Sequence, residues 1–382
     1  MNIFNGGYML RKINRTIQNY LREKRLKIGR WLWDRKDIKE EIEEGNFINE
    51  NQIKKILFLR YDGKIGDMVI NTVMFRAIKK IYPHIYIGVV ARGGAKAVIE
   101  NNPYIDKIYL YNKKNIKRVA KEIAEEKYDL LIDFSEILRV IQMKFISLCK
   151  ARFNMGLKKD DWELFDISYE GEKAGEHISK RYEKILKILG IDNPDMNYDL
   201  YFTEEQNRKI DKLLENIFHK KIIVINPFAA SRHRDFNQEN IEKICRLVLE
   251  DKNTQLFIIG EEKRRKEIEK IAGKLGERVT VPQLNGIMET ASLISRADLI
   301  ITPDTSIIHI AAAFDRNLLA VYRLDGNRGN EINSTLWGPN YKRAVQIFSR
   351  DMNLKEGEEA DINKFHMDEI ENYLKNFREG AN

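Results

Sequence analysis

The stretch Asp298–Ala313 reads DLIITPDTSIIHIAAA, a strand, a turn and a helix start within sixteen residues. Asp298–Thr302 is a short apolar run rich in β-branched residues and stopped by Pro303, which predicts a buried parallel strand. Asp304 and Thr305 are helix-starting residues, and Ile307, Ile308, Ala311 and Ala312 supply a helical apolar face. A strand that turns straight into a helix leaves free backbone N–H groups at the mouth of an α/β crevice, where phosphate-bearing ligands settle. His309 lies about one turn into that helix, near enough to the mouth to donate to an oxygen. Taken without its surroundings, the same segment makes Thr305 a cap and His309 a buried helix histidine.

The rhythm extends to both sides. Lys221–Asn226 (KIIVIN) before Pro227 predicts a strand, then come a helix near 237–250, a strand Gln255–Gly260 and a helix near 262–275. A strand Arg278–Val281 and a helix near 286–296 lead into Asp298, and Leu318–Arg323 is one more strand. Thr335–Pro339 (TLWGP) reads as a loop, and Met367–Phe377 as a terminal helix that returns to the first domain. Upstream, Lys54–Arg60 (KKILFLR) is a strand, Gly63–Asp67 (GKIGD) a turn and Met68–Ile81 a helix. Strands at Ile85–Val90, Lys107–Tyr111 and Tyr128–Phe134 alternate with helices at Asn115–Lys127 and Ile137–Cys149. Residues 156–176 read as irregular, and helices near 177–189 and 203–217 lead across. Such alternation predicts parallel sheets covered on both faces. Two doubly wound units in tandem place a cleft between them. The predicted divisions are a leader and linker at 1–52, domains at 53–200 and 201–360, and the terminal helix at 361–382.

At 382 residues the chain holds two ordinary cores, and 43% hydrophobic with 32% charged residues describes a globular protein with a heavily charged surface. No apolar run reaches the roughly 18 residues a spanning helix needs. Cys149 and Cys245 form no redox or metal pattern and suit a reducing compartment, hence a cytoplasmic location. Six scattered histidines without HExxH spacing predict no metal site, and no G-x-G-x-x-G follows either first strand, which argues against a dinucleotide oxidoreductase. The net charge of +8 is concentrated: residues 1–36 carry ten basic and two acidic side chains, so the body is balanced and bears no nucleic-acid footprint. Leu10, Ile13, Ile17, Ile28 and Leu32 recur at helical spacing in this leader, with Trp31 and Trp33 near its end and Lys or Arg elsewhere. That pattern fits a helix on an anionic membrane surface, at the inner face of the cytoplasmic membrane, and equally a helix packed on the body.

Four segments, in order and at the right spacing, resemble glycosyltransferase family 9, the bacterial heptosyltransferase-like enzymes of lipopolysaccharide core assembly. They are ILFLRYDGKIGDMVINTVMFRAIKKIYP, ENNPYIDKIYLYN, NPFAASRHRDFNQENI and ITPDTSIIHIAAA, with Trp337-Gly338-Pro339 as a later match. The likeness covers about residues 53–350. It implies the GT-B fold, two facing Rossmann-like domains, in agreement with the strand–helix rhythm.

The resemblance also implies transfer of a sugar, by default heptose from ADP-heptose, to a lipid-linked oligosaccharide acceptor with inversion and without a metal or other cofactor. Inversion needs one base to deprotonate the acceptor hydroxyl. Asp67 matches the family's proposed base; by sequence pattern it is also a helix N-cap. Gly63 and Gly66 let the backbone approach substrate closely. Preorganised donors for the leaving diphosphate are the N–H groups of Thr305 and Ser306, the Thr305 hydroxyl and His309. Arg234 stands where the family usually has a phosphate-contacting lysine, with Arg232 and His233 nearby. Asn226 ends the strand facing the donor, and Asp304 orients the helix start or touches the sugar. The family generally has Gly at the positions of Ser306 and Phe228 and Pro near Asn317, which leaves another nucleotide-sugar open beside ADP-heptose. A nucleotide-sugar epimerase and a non-catalytic saccharide-binding protein of the same fold are the alternative readings.

Overall fold

The computed structural model describes residues 4–36, 41, 45–217, 219–324, 331–350 and 360–380. Its first part contains α1 (Phe4–Trp33), α2 (Phe47–Glu50), β1 (Lys55–Arg60), α3 (Ile65–Ile81), β2 (Tyr86–Ala91), α4 (Ala95–Ile99) and β3 (Lys107–Leu110). It continues through α5 (Ile116–Glu126), β4 (Leu130–Asp133), α6 (Val140–Cys149), β5 (Phe153–Leu157), β6 (Ile167–Tyr169) and α7 (Ser179–Ile188). The second part runs α8 (Glu204–Leu214), β7 (Lys221–Ile225), α9 (Gln238–Leu249), β8 (Thr254–Ile258), α10 (Arg265–Leu275), β9 (Val279–Thr280) and α11 (Ile287–Ile294). It ends with β10 (Leu299–Pro303), α12 (Ile307–Ala313), β11 (Asn317–Leu324), α13 (Glu331–Leu336), β12 (Ala344–Arg350) and α14 (Met367–Glu379).

Two six-stranded sheets result, ordered β3-β2-β1-β4-β5-β6 and β12-β11-β10-β7-β8-β9, and every recorded pairing is parallel. The orders are the same once each sheet is counted from its own first strand, although no sequence repeat relates the halves. Helices on both faces complete the GT-B architecture. Ile56, Leu57, Phe58 and Leu59 in β1 and Leu299, Ile300 and Ile301 in β10 are buried on both sides of their sheets, as central parallel strands must be. Each such side chain contributes about 1.5–3 kcal/mol of transfer free energy. One apolar cluster joins the halves, since Met68 and Val69 of α3 and Ile307 and Ile310 of α12 belong to it together.

Several expectations are corrected. Residues 156–176 are not irregular throughout, because β5 and β6 extend the first sheet, with Met155 paired to Ile167. The TLWGP segment is partly helical, its Leu336 closing α13, and β12 adds an edge strand beyond the predicted set. The terminal helix does not return to the first sheet: Ile370, Tyr373 and Leu374 of α14 sit in the core of the second, beside Ile241 and Ile244 of α9. The predicted linker is anchored where it is described, for Phe47 and Ile48 of α2 are buried and Asn46 caps that turn by accepting from the Asn49 N–H at 3.2 Å. Residues 37–40 and 42–44 of it lie outside the described residues. The leader helix packs on α6 through Gly29, where an added Cβ would stand 2.5 Å from Val140. Among the described residues, no helix is long and apolar enough to cross a membrane.

Candidate active site

In open α/β sheets the crevice for ligands forms where the strand order reverses, at the carboxyl ends of the strands. The first sheet reverses between β1 and β4, the second between β7 and β10. The candidate catalytic and donor-binding residues singled out from the sequence lie on the segments that follow β1, β7 and β10 at these two places.

At the first, β1 closes on a charge. Arg60 is buried, its guanidinium 5.2 Å above the Phe134 ring and 2.9 Å from an Asp67 carboxylate oxygen. Gly63 takes φ +79°, a left-handed turn that favours glycine, and α3 then starts at Ile65. Lys64 holds the N-cap position, so Asp67 lies inside the first helical turn and is not the cap. The positive end of the helix dipole still favours its charge there. Burial pushes the Asp67 carboxyl up; Arg60 and Lys64 pull it back and Asp62 adds to the rise, so it stays above the ordinary aspartate value. A raised pKa makes a carboxylate the stronger proton acceptor once it is ionised. Across the reversal, Tyr61 donates to Asp133 Oδ1 at 2.6 Å, and burial raises the Asp133 carboxyl to about 6. This bond ties the β1–α3 loop to the end of β4.

At the second reversal, Asn226 bridges the gap: its Nδ2 donates to Thr302 Oγ1 at 3.0 Å, to the Phe228 carbonyl at 3.0 Å and to Thr305 Oγ1 at 3.3 Å. Asn226 and the Thr305 hydroxyl are therefore used in shaping the turn. Thr305 Oγ1 also accepts from the Ile307 N–H at 3.2 Å, and Ser306 is the N-cap residue of α12. Among the described residues, the N–H groups of Thr305 and Ser306 have no intramolecular acceptor. Arg234 closes a short 3-10 turn and pairs with Asp304 at 2.7 Å, both partly open to solvent. Next to it, the Arg264 guanidinium lies 4.0 Å above the Phe228 ring and pairs with Asp235 at 2.8 Å. Phe228 thus fills the space where a smaller residue is expected and carries a cation on its face. Arg232 and His233 share the Arg234 turn.

The two reversals meet. An added Cβ on Gly66 would stand 2.7 Å from His309 Cδ2 and 3.5 Å from the Ser306 Cα, so the first turn of α3 touches the start of α12. His309 is buried in this contact with its ring 6.5 Å from that of Tyr198, and its Nδ1 has no hydrogen-bond partner among the described residues. Burial, with His177 nearby, lowers its pKa to about 3. Any bond it gives to a phosphate oxygen is therefore that of a neutral imidazole. His177 donates through Nε2 to the Gly338 carbonyl at 3.1 Å and accepts at Nδ1 from the Ser179 N–H at 3.1 Å. Burial lowers its pKa to about 4. Lys64 Nζ stands 5.5 Å over the Trp337 ring, and the Ile178 N–H donates to the Leu336 carbonyl at 2.9 Å. Segment 336–338 thus clips the second half to the first beside the site. Among the described residues, no group of three or more His, Cys, Asp or Glu side chains is placed to hold a metal ion.

Arg60 and the His177–Gly338 bond escaped the sequence reading, and Trp337, matched there to the family, was given no contact with the Asp67 turn. Only Arg60 left a signal there, a charge closing an apolar strand, which requires a partner.

Comparison with known proteins agrees with this fold. Residues 116–364 match the model of glycosyltransferase family 9 (heptosyltransferase), and residues 30–191 match a family of unknown function, DUF6913. The chain is 23% identical over 335 residues to lipopolysaccharide heptosyltransferase 3 of Escherichia coli K12, covering 80% of this chain and 91% of that protein. Among solved structures, a family 9 glycosyltransferase from Veillonella parvula superposes with a TM-score of 0.71 at 16% identity, over 85% of this chain and 97% of the other. The E. coli heptosyltransferase WaaC with ADP gives 0.64 at 14% identity, over 86% and 99%.

Proposed function

Because the chain belongs to glycosyltransferase family 9, we propose that it moves a heptose from ADP-heptose to the core sugar of a lipid-linked oligosaccharide, with inversion and with Asp67 as the general base. The observation that carries this reading is the meeting of the two switch points. A half-buried carboxylate of raised pKa sits one residue beyond Gly66, and Gly66 touches the start of the helix whose free N–H groups suit a diphosphate.

The acceptor hydroxyl enters beside Asp67, which takes its proton as the oxygen attacks the anomeric carbon. The bond from that carbon to the diphosphate breaks, and the ADP leaves with the electron pair. Attack on the face opposite the departing group inverts the centre. The Thr305 and Ser306 N–H groups and Arg234, turning from Asp304, stabilise the charge that develops on the leaving oxygen. The Arg234 guanidinium and these N–H groups thus take the part that a divalent cation plays elsewhere. The adenine nucleotide is supported by the solved relative of the same fold that carries ADP. Asp62 and Lys64 flank the acceptor side, and Lys64 is kept near the opening by Trp337.

The test is to incubate the purified protein with ADP-heptose and a lipid-linked core oligosaccharide lacking its terminal heptose, in EDTA, and to weigh the product. Gain of one heptose, with ADP released in equal amount, is expected. An unchanged acceptor with intact donor contradicts the proposal, as does transfer abolished by EDTA and restored by a divalent cation for the metal-free form of it.

A further inference from the structure

The leader helix α1 has two faces with opposite fates. Leu26, Gly29 and Trp33 lie on one side and pack on the first domain, where Arg30 stacks 4.2 Å from the Trp162 ring and Asp34 Oδ1 accepts from the Leu164 N–H at 2.9 Å. On the other side Ile17, Tyr20, Leu21, Ile28, Trp31 and Leu32 are exposed, Ile28 by 58% and Trp31 by 68%. At 100° per residue these six fall within an arc of about 120°, centred opposite the docked face. Among the described residues, nothing covers this aromatic and aliphatic stripe on an already anchored helix.

The charges around it name the occupant. Arg25 and Lys27 flank the stripe on either edge, and Lys24 and Arg35 lie along it over the Tyr20 and Trp31 rings at 5.4 and 5.2 Å. No acidic residue from 17 to 33 falls on this face, since Glu23 projects to the side of the docked one. A second protein copy would bring the same cations against each other. An anionic lipid surface instead accepts both the apolar stripe and its basic rim. We propose that the outer face of α1 is a docking surface for anionic membrane, lying in the headgroup plane while its inner face holds the first domain beneath it. The purpose of such a surface rests on the proposed lipid-linked acceptor, but its evidence does not.

Flotation of the full-length protein with vesicles tests it in the absence of donor and acceptor, so its outcome is independent of transfer activity. Vesicles of phosphatidylglycerol mixed with phosphatidylcholine should carry the protein, and pure phosphatidylcholine should not. The triple variant Ile28→Glu, Trp31→Glu, Leu32→Glu should bind the anionic vesicles at least about tenfold more weakly, with unchanged thermal melting. A second variant, Lys24→Gln, Arg25→Gln, Lys27→Gln, should also lose binding and flatten its dependence on salt. Binding that is equal for wild type and variants, or absent on both vesicle types, overturns the proposal. So does a concentration-dependent dimer that the first variant dissociates, which would assign the stripe to a second copy.

Discussion

Gly66 of α3 and His309 of α12 belong to different halves of the molecule, yet a Cβ on Gly66 would stand only 2.7 Å from the His309 ring. The neighbour is a buried ring at a packed junction, which cannot swing away as the end of an exposed side chain could. Gly66→Ala should therefore part the two helix starts and destabilise the protein by about 1–3 kcal/mol. Transfer should fall further than stability alone explains, because Asp67 moves with the turn. Adding His309→Ala should return part of the lost stability; a strictly additive double variant in thermal melting would contradict the contact.

Arg60 pulls the Asp67 carboxyl down against the rise that burial imposes. Removing that pull, as in Arg60→Met, should shift the acidic limb of the kcat/KM profile to higher pH, since Asp67 then ionises later. Arg60→Lys should restore the limb most of the way. A limb at the same pH in all three proteins would show that Asp67 does not set it.

Arg234 and Asp304 are partly exposed, so their 2.7 Å pair is worth less than about 1 kcal/mol to stability. Its role on this account is to hold the guanidinium ready for the diphosphate. Arg234→Ala should leave the melting temperature nearly unchanged while weakening ADP binding by about tenfold to a hundredfold. Acceptor KM should change little. Equal effects on both substrates, read from initial rates, would count against a donor-side role.

His177 and His309 are held neutral by burial, with pKa values lowered to about 4 and about 3. Below pH 6.5 the unfolded chain binds these protons and the folded one does not, so their stability contribution, full above 6.5, is lost as pH falls towards 4. Each costs up to about 1.4 kcal/mol per pH unit within that window. Urea unfolding at pH 7 and pH 5 should show a smaller difference for His177→Asn, His309→Asn than for the wild type. An unchanged difference would mean that the histidines are solvated and charged.

How much of this was legible depends on range. Buried parallel strands such as Ile56–Leu59 and Leu299–Ile301 announce themselves as apolar runs, and their alternation with amphipathic helices yields two doubly wound units. β5 carries Gly156, β6 has three residues, and β12 is broken by Gln346 and Ser349, so none of them presents such a run. The turn residues at 63–67 and 303–306 could be read because a strand feeding a helix has local chemistry. That Asp67 is spoken for by Arg60, or Asp304 by Arg234, could not, because each pairing depends on how a loop folds back. The Gly66–His309 contact spans two sheets and leaves no local mark. The final turn of the chain misled for the same reason: the apolar face of α14 specifies that it packs, and not on which sheet.

The base assignment is tested most directly by Asp67→Asn, which keeps the shape of the side chain and removes its ability to accept a proton. Titration with ADP should give an affinity within about twofold of the wild type, while turnover with both substrates saturating should fall by about a hundredfold to ten-thousandfold. Turnover close to the wild-type rate in Asp67→Asn, with ADP binding intact, would contradict the role given to this carboxylate.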